Sequence, residues 1–476
     1  MTISRVIQSY VNGAWILPSD VCRPVVNPAT GKEIAQVSMG TADTVNSAVQ
    51  AARAAFVEFS DWTVEARIAL LERISAAYEK RIPDLAEAIT AEMGSPISFS
   101  RAVQAASPLK HFAEMIAVLK KYRFESEIGE FSILRREPVG VCGLITAWNW
   151  PVTLIATKVA PALAAGCTTI LKPSEYTPIS AGIVVEILDG AGVPAGVFNL
   201  INGDGPTVGA AMSKHPGIDL ISLTGSKRAG QAVMEDAGET IKRIVLELGG
   251  KSANIILPDA ELESAVRAGV ARCLLNAGQS CQAPSRMLVH RSQIDTVLQI
   301  AKEHAEAIVI GPPDDVETQM GPLANAAQFE KVQGLIAKAI EEGATLVCGG
   351  PGRPDEQPNG YYVRPTIFSD VQPSMAIAQQ EVFGPVLSIM TYESEDEAIA
   401  LANSTSYGLA GYVQSSSSEN ARRVARRIRA GRIYINGAPS DRGAPMGGYR
   451  QSGLGREHGI FGFEEFLEIK SMIGAR

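Results

Sequence analysis

Two reactive side chains bracket the stretch 244–286. Glu247 closes the apolar run Ile244-Val245-Leu246, and Cys281 sits 34 residues later in Asn276-Ala277-Gly278-Gln279-Ser280-Cys281-Gln282. A thiol becomes a strong nucleophile once ionised, and a carboxylate can serve as its general base or activate water. A lone cysteine is more often a small packed hydrophobe. Cys281 instead lies on a Gly/Gln/Ser loop, with no neighbouring cysteine to suggest a metal. A carboxylate at the end of a buried strand is costly unless paired or functional, which singles out Glu247. Asn149, between Trp148 and Trp150 and before Pro151, offers an amide to a developing oxyanion. It could equally be a turn residue.

Phosphate- and ribose-binding features are present in fragments. Leu171-Lys172-Pro173-Ser174-Glu175 follows an apolar strand. A carboxylate there can accept both hydroxyls of an adenosine ribose, and a lysine can add a donor. The same residues also read as a solvated charged loop. A clean Gly-x-Gly-x-x-Gly fingerprint is absent. The nearest match is Gly225-Ser226-Lys227-Arg228-Ala229-Gly230, a glycine turn that opens a helix. Such a turn presents free N–H groups to an anion, although most glycine turns are only turns. Asn202-Gly203-Asp204-Gly205 is a second turn of this sort.

These residues must be carried by a particular arrangement of elements. From residue 139 apolar strands alternate with helices: VGVCGLITAW, a helix at about 152–165, TTILKP, a helix near 179–190, VFNLING, a helix near 206–213, LISLTGS, a helix, and IVLELGG. That alternation predicts a parallel sheet covered by helices, with ligands at the carboxyl ends of its strands. A second α/β pattern follows, with strands at 253–257, 284–290, 386–391 and 432–435, so a domain boundary falls close to 250. Before 139 the chain reads as scaffold. Short strands flank Asn12-Gly13, a helix starts after Thr41, two helices fill 64–93 with a break at Pro83, and another helix fills 100–120. Residues 122–137 read as a hairpin and 463–473 as a strand. Neither has an obvious local partner, so an oligomer interface and ordinary intrachain pairing stand as equal expectations. Six arginines between 422 and 432 read as one amphipathic helix and not as a nucleic-acid surface.

Composition narrows the function classes. A length of 476 residues predicts two or three domains. The net charge of −8 gives no reason to expect nucleic acid or membrane partners. Six scattered cysteines and five dispersed histidines suit reduced cytoplasmic thiols and argue against a metal cluster. The first residues lack the pattern of a secretory signal. Residues 139–171 are nearly free of charge, but Asn149, Pro151, Lys158 and Pro161 interrupt any membrane span.

Taken together, the motifs resemble the aldehyde dehydrogenase superfamily over nearly the whole chain. The matching blocks are AWNWP (147–151), APALAAGCTTILKPSEYTP (160–178), LTGSKRAG (223–230), LELGGKS (246–252), NAGQSCQAPSR (276–286), QEVFGPVLSI (380–389) and GGYRQSGLGREHG (447–459). The resemblance implies an α/β protein with a Rossmann-like dinucleotide-binding domain (1–121 and 138–249), an α/β catalytic domain (250–446) and a small β oligomerisation arm (122–137 and 462–476). It implies NAD-dependent oxidation of a small-molecule aldehyde to the acid, in the cytoplasm, by a homodimer or homotetramer. Cys281 would be the nucleophile, Glu247 the base, Asn149 the oxyanion donor, and Lys158 with Glu457 a proton relay. Lys172, Ser174 and Glu175 would hold the adenosine ribose. Ile145, Trp148, Gly205, Gly225 and Ser226 would shape the adenine and pyrophosphate site. Glu381 and Phe383 would contact the nicotinamide ribose and ring, and Gly230, Leu248 and Gly249 would also belong to the cofactor site. Glu175 would repel a 2′-phosphate and so favour NAD, while Lys172 offsets part of that charge and keeps NADP possible. Trp150, Leu154, Thr157, Ser280 and Gln282 would line the substrate mouth. Met446, Thr157 and Arg450 depart from residues common in the family, which leaves the aldehyde open. A relative that transfers the acyl group to coenzyme A usually lacks a carboxylate at the position of Glu247. A binding protein that keeps the fold without turnover is the alternative from another class.

Overall fold

In the computed structural model, which describes residues 6–475, the apolar runs after residue 139 become buried parallel strands. Side by side they run Arg243–Glu247, Leu220–Thr224, Val141–Ile145, Thr168–Lys172 and Phe198–Leu200. The order reverses between Val141–Ile145 and Leu220–Thr224. At such a switch point the connections leave on opposite sides and open a crevice beyond the strands' carboxyl ends. Antiparallel Ser9–Val11 and Ala14–Ile16 extend one edge, joined by the Asn12-Gly13 turn, and Gly453–Leu454 extends the other to complete eight strands. The chain thus returns, some 200 residues later in sequence, to pair beside Glu247.

The helices follow local signals. Thr41 caps Ala42–Phe59, exchanging bonds with Thr44. The break predicted at Pro83 falls instead at Lys80 and Arg81, because proline suits the first turn of the next helix, Ile82–Met93. The single helix expected over 100–120 is divided. A π-helical turn at Ser100–Gln104 precedes Ser107–Leu119, which again begins with a proline in its first turn.

A second sheet of seven strands carries the other half of the molecule. Its order is Thr345–Cys348, Thr366–Ser369, Val386–Tyr392, Arg286–His290, Ala253–Ile256, Ala410–Gln414 and Arg432–Ile435, all parallel except the first. Thr345–Cys348, Thr366–Ser369 and Ala410–Gln414 were not anticipated, being short and without alternation. The arginine-rich run is not one helix. A helix spans Ser418–Ala425, the chain then turns, and Arg432 opens a strand. Arg423 and Arg427 pair with Glu395 and Asp396 on a neighbouring helix, which accounts for part of the basic run.

The third element is a small antiparallel sheet, Glu125–Ile128, Ser132–Pro138 and Leu467–Ile473. Residues 463–466 do not join it, since a helix spans Gly459–Glu464 and the strand begins at Leu467. The last strand therefore finds its partner within the chain. Ile128, Phe131, Ile469 and Ile473 remain exposed.

One buried cation ties the start of the strand Arg286–His290 to its neighbours. The Arg286 guanidinium, 1% exposed, donates to the carbonyls of Lys251 (3.0 Å), Leu401 (2.7 Å) and Ala402 (2.8 Å). Replacing it with Met would remove all three bonds, and only Leu401 O would keep another donor, Ser404. Each acceptor left unpaired is worth about 1–3 kcal/mol. Arg286→Met is therefore expected to lose at least about 2 kcal/mol of stability, seen as a lower denaturant midpoint.

Candidate active site

A cavity of about 480 Å³ opens at the switch point and runs between the two large sheets. A larger surface groove of about 820 Å³ holds none of the residues singled out from the sequence.

The cofactor side is built from strand ends. Gly225 and Ser226 follow Leu220–Thr224, and the Ser226 hydroxyl caps the helix Lys227–Gly238 by accepting from Ala229 N–H. Thr224 Oγ1 beside them is buried and has no protein partner among the described residues. Lys172 Nζ is buried and donates to the carbonyls of Pro173 (2.9 Å) and Gly203 (2.8 Å), and burial lowers its proton affinity. Glu175 lies 3.9 Å from Lys172 and 3.1 Å from Arg23, which arrives from the N-terminal segment. At the other end Glu381 accepts from Gly250 N–H at 3.0 Å. A side chain at Gly249 would run into the Glu381 carboxylate at 2.3 Å, so the glycine makes room for that residue. Trp148 and Phe383 meet edge to face at 5.3 Å. Ile145, Ser174, Gly205 and Leu248 also line the cavity. Gly230 does not. It lies under Leu248, whose side chain a Cβ there would strike at 2.7 Å. Glycine turns, the carboxylates Glu175 and Glu381 and an orphan hydroxyl along one crevice fit a dinucleotide.

The catalytic side depends on one unusual turn. After the helix Leu262–Leu274 the chain places Asn276, Ala277 and Gly278 at φ of 56°, 54° and 72°. Two non-glycine residues in this region each cost on the order of 1–3 kcal/mol. Side-chain amides hold them there. Asn276 Nδ2 donates to the carbonyls of Asn149 (3.0 Å) and Gln279 (3.3 Å), and its Oδ1 accepts from Gln104 at 3.0 Å. Gln279 donates to Asn276 O at 3.1 Å and accepts from Ala324 N–H at 2.9 Å. A Cβ on Gly278 would lie 2.0 Å from the carbonyl oxygen of Gly384, so no side chain fits. The turn delivers a half-buried Cys281 to the cavity.

Around the thiol, Asn149 Nδ2 donates to Gln279 O at 3.0 Å. An amide nitrogen carries two hydrogens, which leaves one for another acceptor. Burial raises the Cys281 thiol well above its usual value, and Glu247, Glu381 and Glu457 raise it further. Glu247 is 2% exposed and neither carboxylate oxygen has a hydrogen-bond partner among the described residues. Burial, then the neighbouring Glu457, push its proton affinity well above the ordinary carboxylate range. Glu457 accepts from Lys158 Nζ at 2.6 Å, and Lys158 also donates to Ser222 Oγ at 2.8 Å. Lys158 lies behind the cavity wall, whereas Glu457 reaches it.

Trp150, Leu154 and Thr157 line the substrate end, with Met446. Ser280 and Gln282 are held back as supports. Trp150 Nε1 donates to Ser280 Oγ at 3.0 Å, and Tyr434 OH donates to Gln282 Oε1 at 2.9 Å. Sequence reasoning missed Arg23, Gln328, Lys331, Arg442 and His458, although the last four line the cavity. No local pattern marks Gln328 or Lys331, which sit on the ordinary amphipathic helix Ala326–Glu341. His458 lies inside a block quoted above, so its position was visible even though its role was not.

A model described as the aldehyde dehydrogenase family matches residues 15–472. A 3-succinoylsemialdehyde-pyridine dehydrogenase from a Pseudomonas species is 52% identical over 467 residues, covering 98% of either chain. Among solved structures, aldehyde dehydrogenase C of Pseudomonas syringae, a Cys-to-Ala mutant complexed with NAD+ and octanal, superposes with a TM-score of 0.98 at 48% identity, covering 100% of this chain and 97% of that one. Betaine aldehyde dehydrogenase of Staphylococcus aureus in complex with NAD+ gives 0.96 at 37% identity, covering 100% and 96%.

The Lys158–Glu457 pair sets up a stability test. Removing one member of a buried ion pair typically costs about 3–5 kcal/mol, because the other charge is left uncompensated. Lys158→Met and Glu457→Gln should each lower the denaturant midpoint by that order, and the double variant should lose less than the sum. Additive losses would show that the two groups do not stabilise each other.

Proposed function

The chain belongs to the aldehyde dehydrogenase family, and from that premise we propose how its own residues divide the NAD+-dependent oxidation of an aldehyde to its acid. The observation that carries the proposal is that Cys281, Glu247 and Asn149 share one cavity with the ribose-level carboxylates Glu175 and Glu381.

Gly225 and Ser226 receive the pyrophosphate at a helix start. Lys172, Ser174 and Glu175 hold the adenosine ribose, Ile145 and Gly205 flank the adenine, and Glu381 with Phe383 orients the nicotinamide end. Trp148 and Leu248 complete the wall. Bound NAD+ supplies a positively charged ring that accepts hydride. The Glu175 carboxylate favours a free 2′-hydroxyl, so NAD is the preferred cofactor.

The Cys281 thiol passes its proton to water in the cavity, and its sulfur attacks the aldehyde carbon. A C–S bond forms and the carbonyl oxygen becomes an oxyanion. The free Asn149 N–H and the Cys281 backbone N–H donate to it. As the oxyanion collapses, hydride leaves and a thioester remains on Cys281. Glu247 takes a proton from water, the resulting hydroxide adds to the thioester, and the acid departs as the thiolate is released. Glu457, with Lys158, passes the proton onward. The unpartnered carboxylate of Glu247 supports release to water over transfer to coenzyme A.

We assign residues 1–121 and 138–249 to the dinucleotide-binding domain, 250–446 to the catalytic domain, and 122–137 with 462–476 to an arm. The exposed apolar residues of that arm support a homodimer or homotetramer. Six free cysteines support a cytoplasmic setting. Among the described residues no helix is long and apolar enough to cross a membrane.

Rapid mixing separates the two half-reactions. Glu247→Gln should release about one NADH per site and then stall, because hydride departs before the base is needed. Full steady-state turnover by that variant would remove Glu247 from the mechanism, and activity in Cys281→Ala would remove the nucleophile. In the native enzyme the hydrolytic step needs Glu247 deprotonated, so it should slow as pH falls through this raised ionisation. Asn149→Ala should lower kcat by about 10²–10³-fold, the usual effect of losing one oxyanion donor.

A further inference from the structure

At the substrate end the mechanism leaves one charged group unused. Arg442 lines the same cavity as Cys281, beside Thr157, Met446 and His458. Its guanidinium is fixed from behind. One Nη donates to His111 Nε2 and the other to Ser107 Oγ at 2.9 Å. An arginine carries five N–H groups, so three are left beyond these two bonds. No carboxylate forms an ion pair with it among the described residues.

The surroundings offset this charge only in part, through Glu114, which forms no ion pair with it among the described residues. His111 and His458 stand with ring centroids 4.9 Å apart. Burial first, and Arg442 next, hold His111 down at about 3, and burial with nearby cations keeps His458 low as well, so neither ring competes as a cation. The nearby carboxyl is Glu114, which burial pushes up to about 7 despite Arg442. A partly buried guanidinium without a firm counter-ion is expensive unless something else supplies the acceptor. Arg442, Thr157 and Met446 line the same cavity.

We propose that Arg442 is a substrate-recognition residue that binds an acceptor oxygen carried by the aldehyde a few bonds from its reacting carbonyl. The substrate class is then an oxo-aldehyde or a semialdehyde carboxylate, in which a planar guanidinium meets a carbonyl-type oxygen. This rests on the reading of Cys281 as nucleophile, since it is the thiol that fixes the reacting end.

The test compares pentanal, 4-oxopentanal and 4-oxobutanoate with NAD+ in the native enzyme, Arg442→Met and Arg442→Lys, with kcat and KM resolved. The native enzyme should favour the two oxygen-bearing aldehydes. Arg442→Met should reduce that preference over pentanal at least tenfold, chiefly through KM, and Arg442→Lys should restore part of it. Loss confined to 4-oxobutanoate would identify a carboxylate as the ligand, and loss for both would identify a shared carbonyl acceptor. A native enzyme without the preference, a preference unchanged in Arg442→Met, or an equal fall for all three aldehydes would overturn the proposal. Cys281→Ala separates the two readings. Turnover in that variant would defeat the thiol mechanism, whereas a failure of Arg442 alone leaves it standing.

Discussion

The turn at Asn276, Ala277 and Gly278 is the constraint on which the centre of the molecule depends. Three consecutive residues in the left-handed region reverse the chain after a helix and point Cys281 into the crevice. Such a turn is unfavourable in isolation. It survives because the amide side chains of Asn276 and Gln279 are tied to Gln104, Asn149 and Ala324 on distant elements, and because Gly278 lies against the Gly384 carbonyl with no space for a methyl group. Asn149 belongs to the same network. Asn149 and the turn that carries Cys281 are thus positioned by shared hydrogen bonds, not by two separate loops that happen to meet.

Burial sets the second condition. Glu247, Glu457 and Lys158 are almost entirely removed from water. Charge there is sustained only in pairs, and the Lys158–Glu457 bond supplies one pair. Glu247 is left over. Its oxygens have no protein partner among the described residues, and a like charge stands beside it, so it is poised to hold or release a proton. Burial, and then the neighbouring carboxylates, raise the Cys281 thiol, which favours its neutral form. The substrate end follows a related logic. Arg442 is tied down on one side and open on the other.

Much of the architecture was legible from local pattern. The five parallel strands after residue 139 read clearly because strands buried on both faces are nearly continuous apolar runs. Edge and short strands did not, since Thr345–Cys348 and Ala410–Gln414 carry no alternation and are defined by their neighbours. The arginine run misled for a physical reason. Its spacing suits a helix, but Gly431 and the pairing of Arg432–Ile435 with Ala410–Gln414 end it early. Arg23 could not be foreseen beside Glu175, because 152 residues separate the two in sequence.

By itself the sequence determined the reactive groups and the sheet that carries them. Side-chain chemistry, glycine turns and apolar periodicity are local properties, and they survive without coordinates. Tertiary structure alone decided what those groups can do together. It brought Asn149 to Gln279, left the Glu247 carboxylate without a hydrogen-bond partner among the described residues, placed Gly230 under Leu248 and away from the cavity, and set Arg442 on the cavity wall. Hydrogen-bond satisfaction and desolvation depend on which distant atoms come within about 3 Å, and no local pattern encodes that distance.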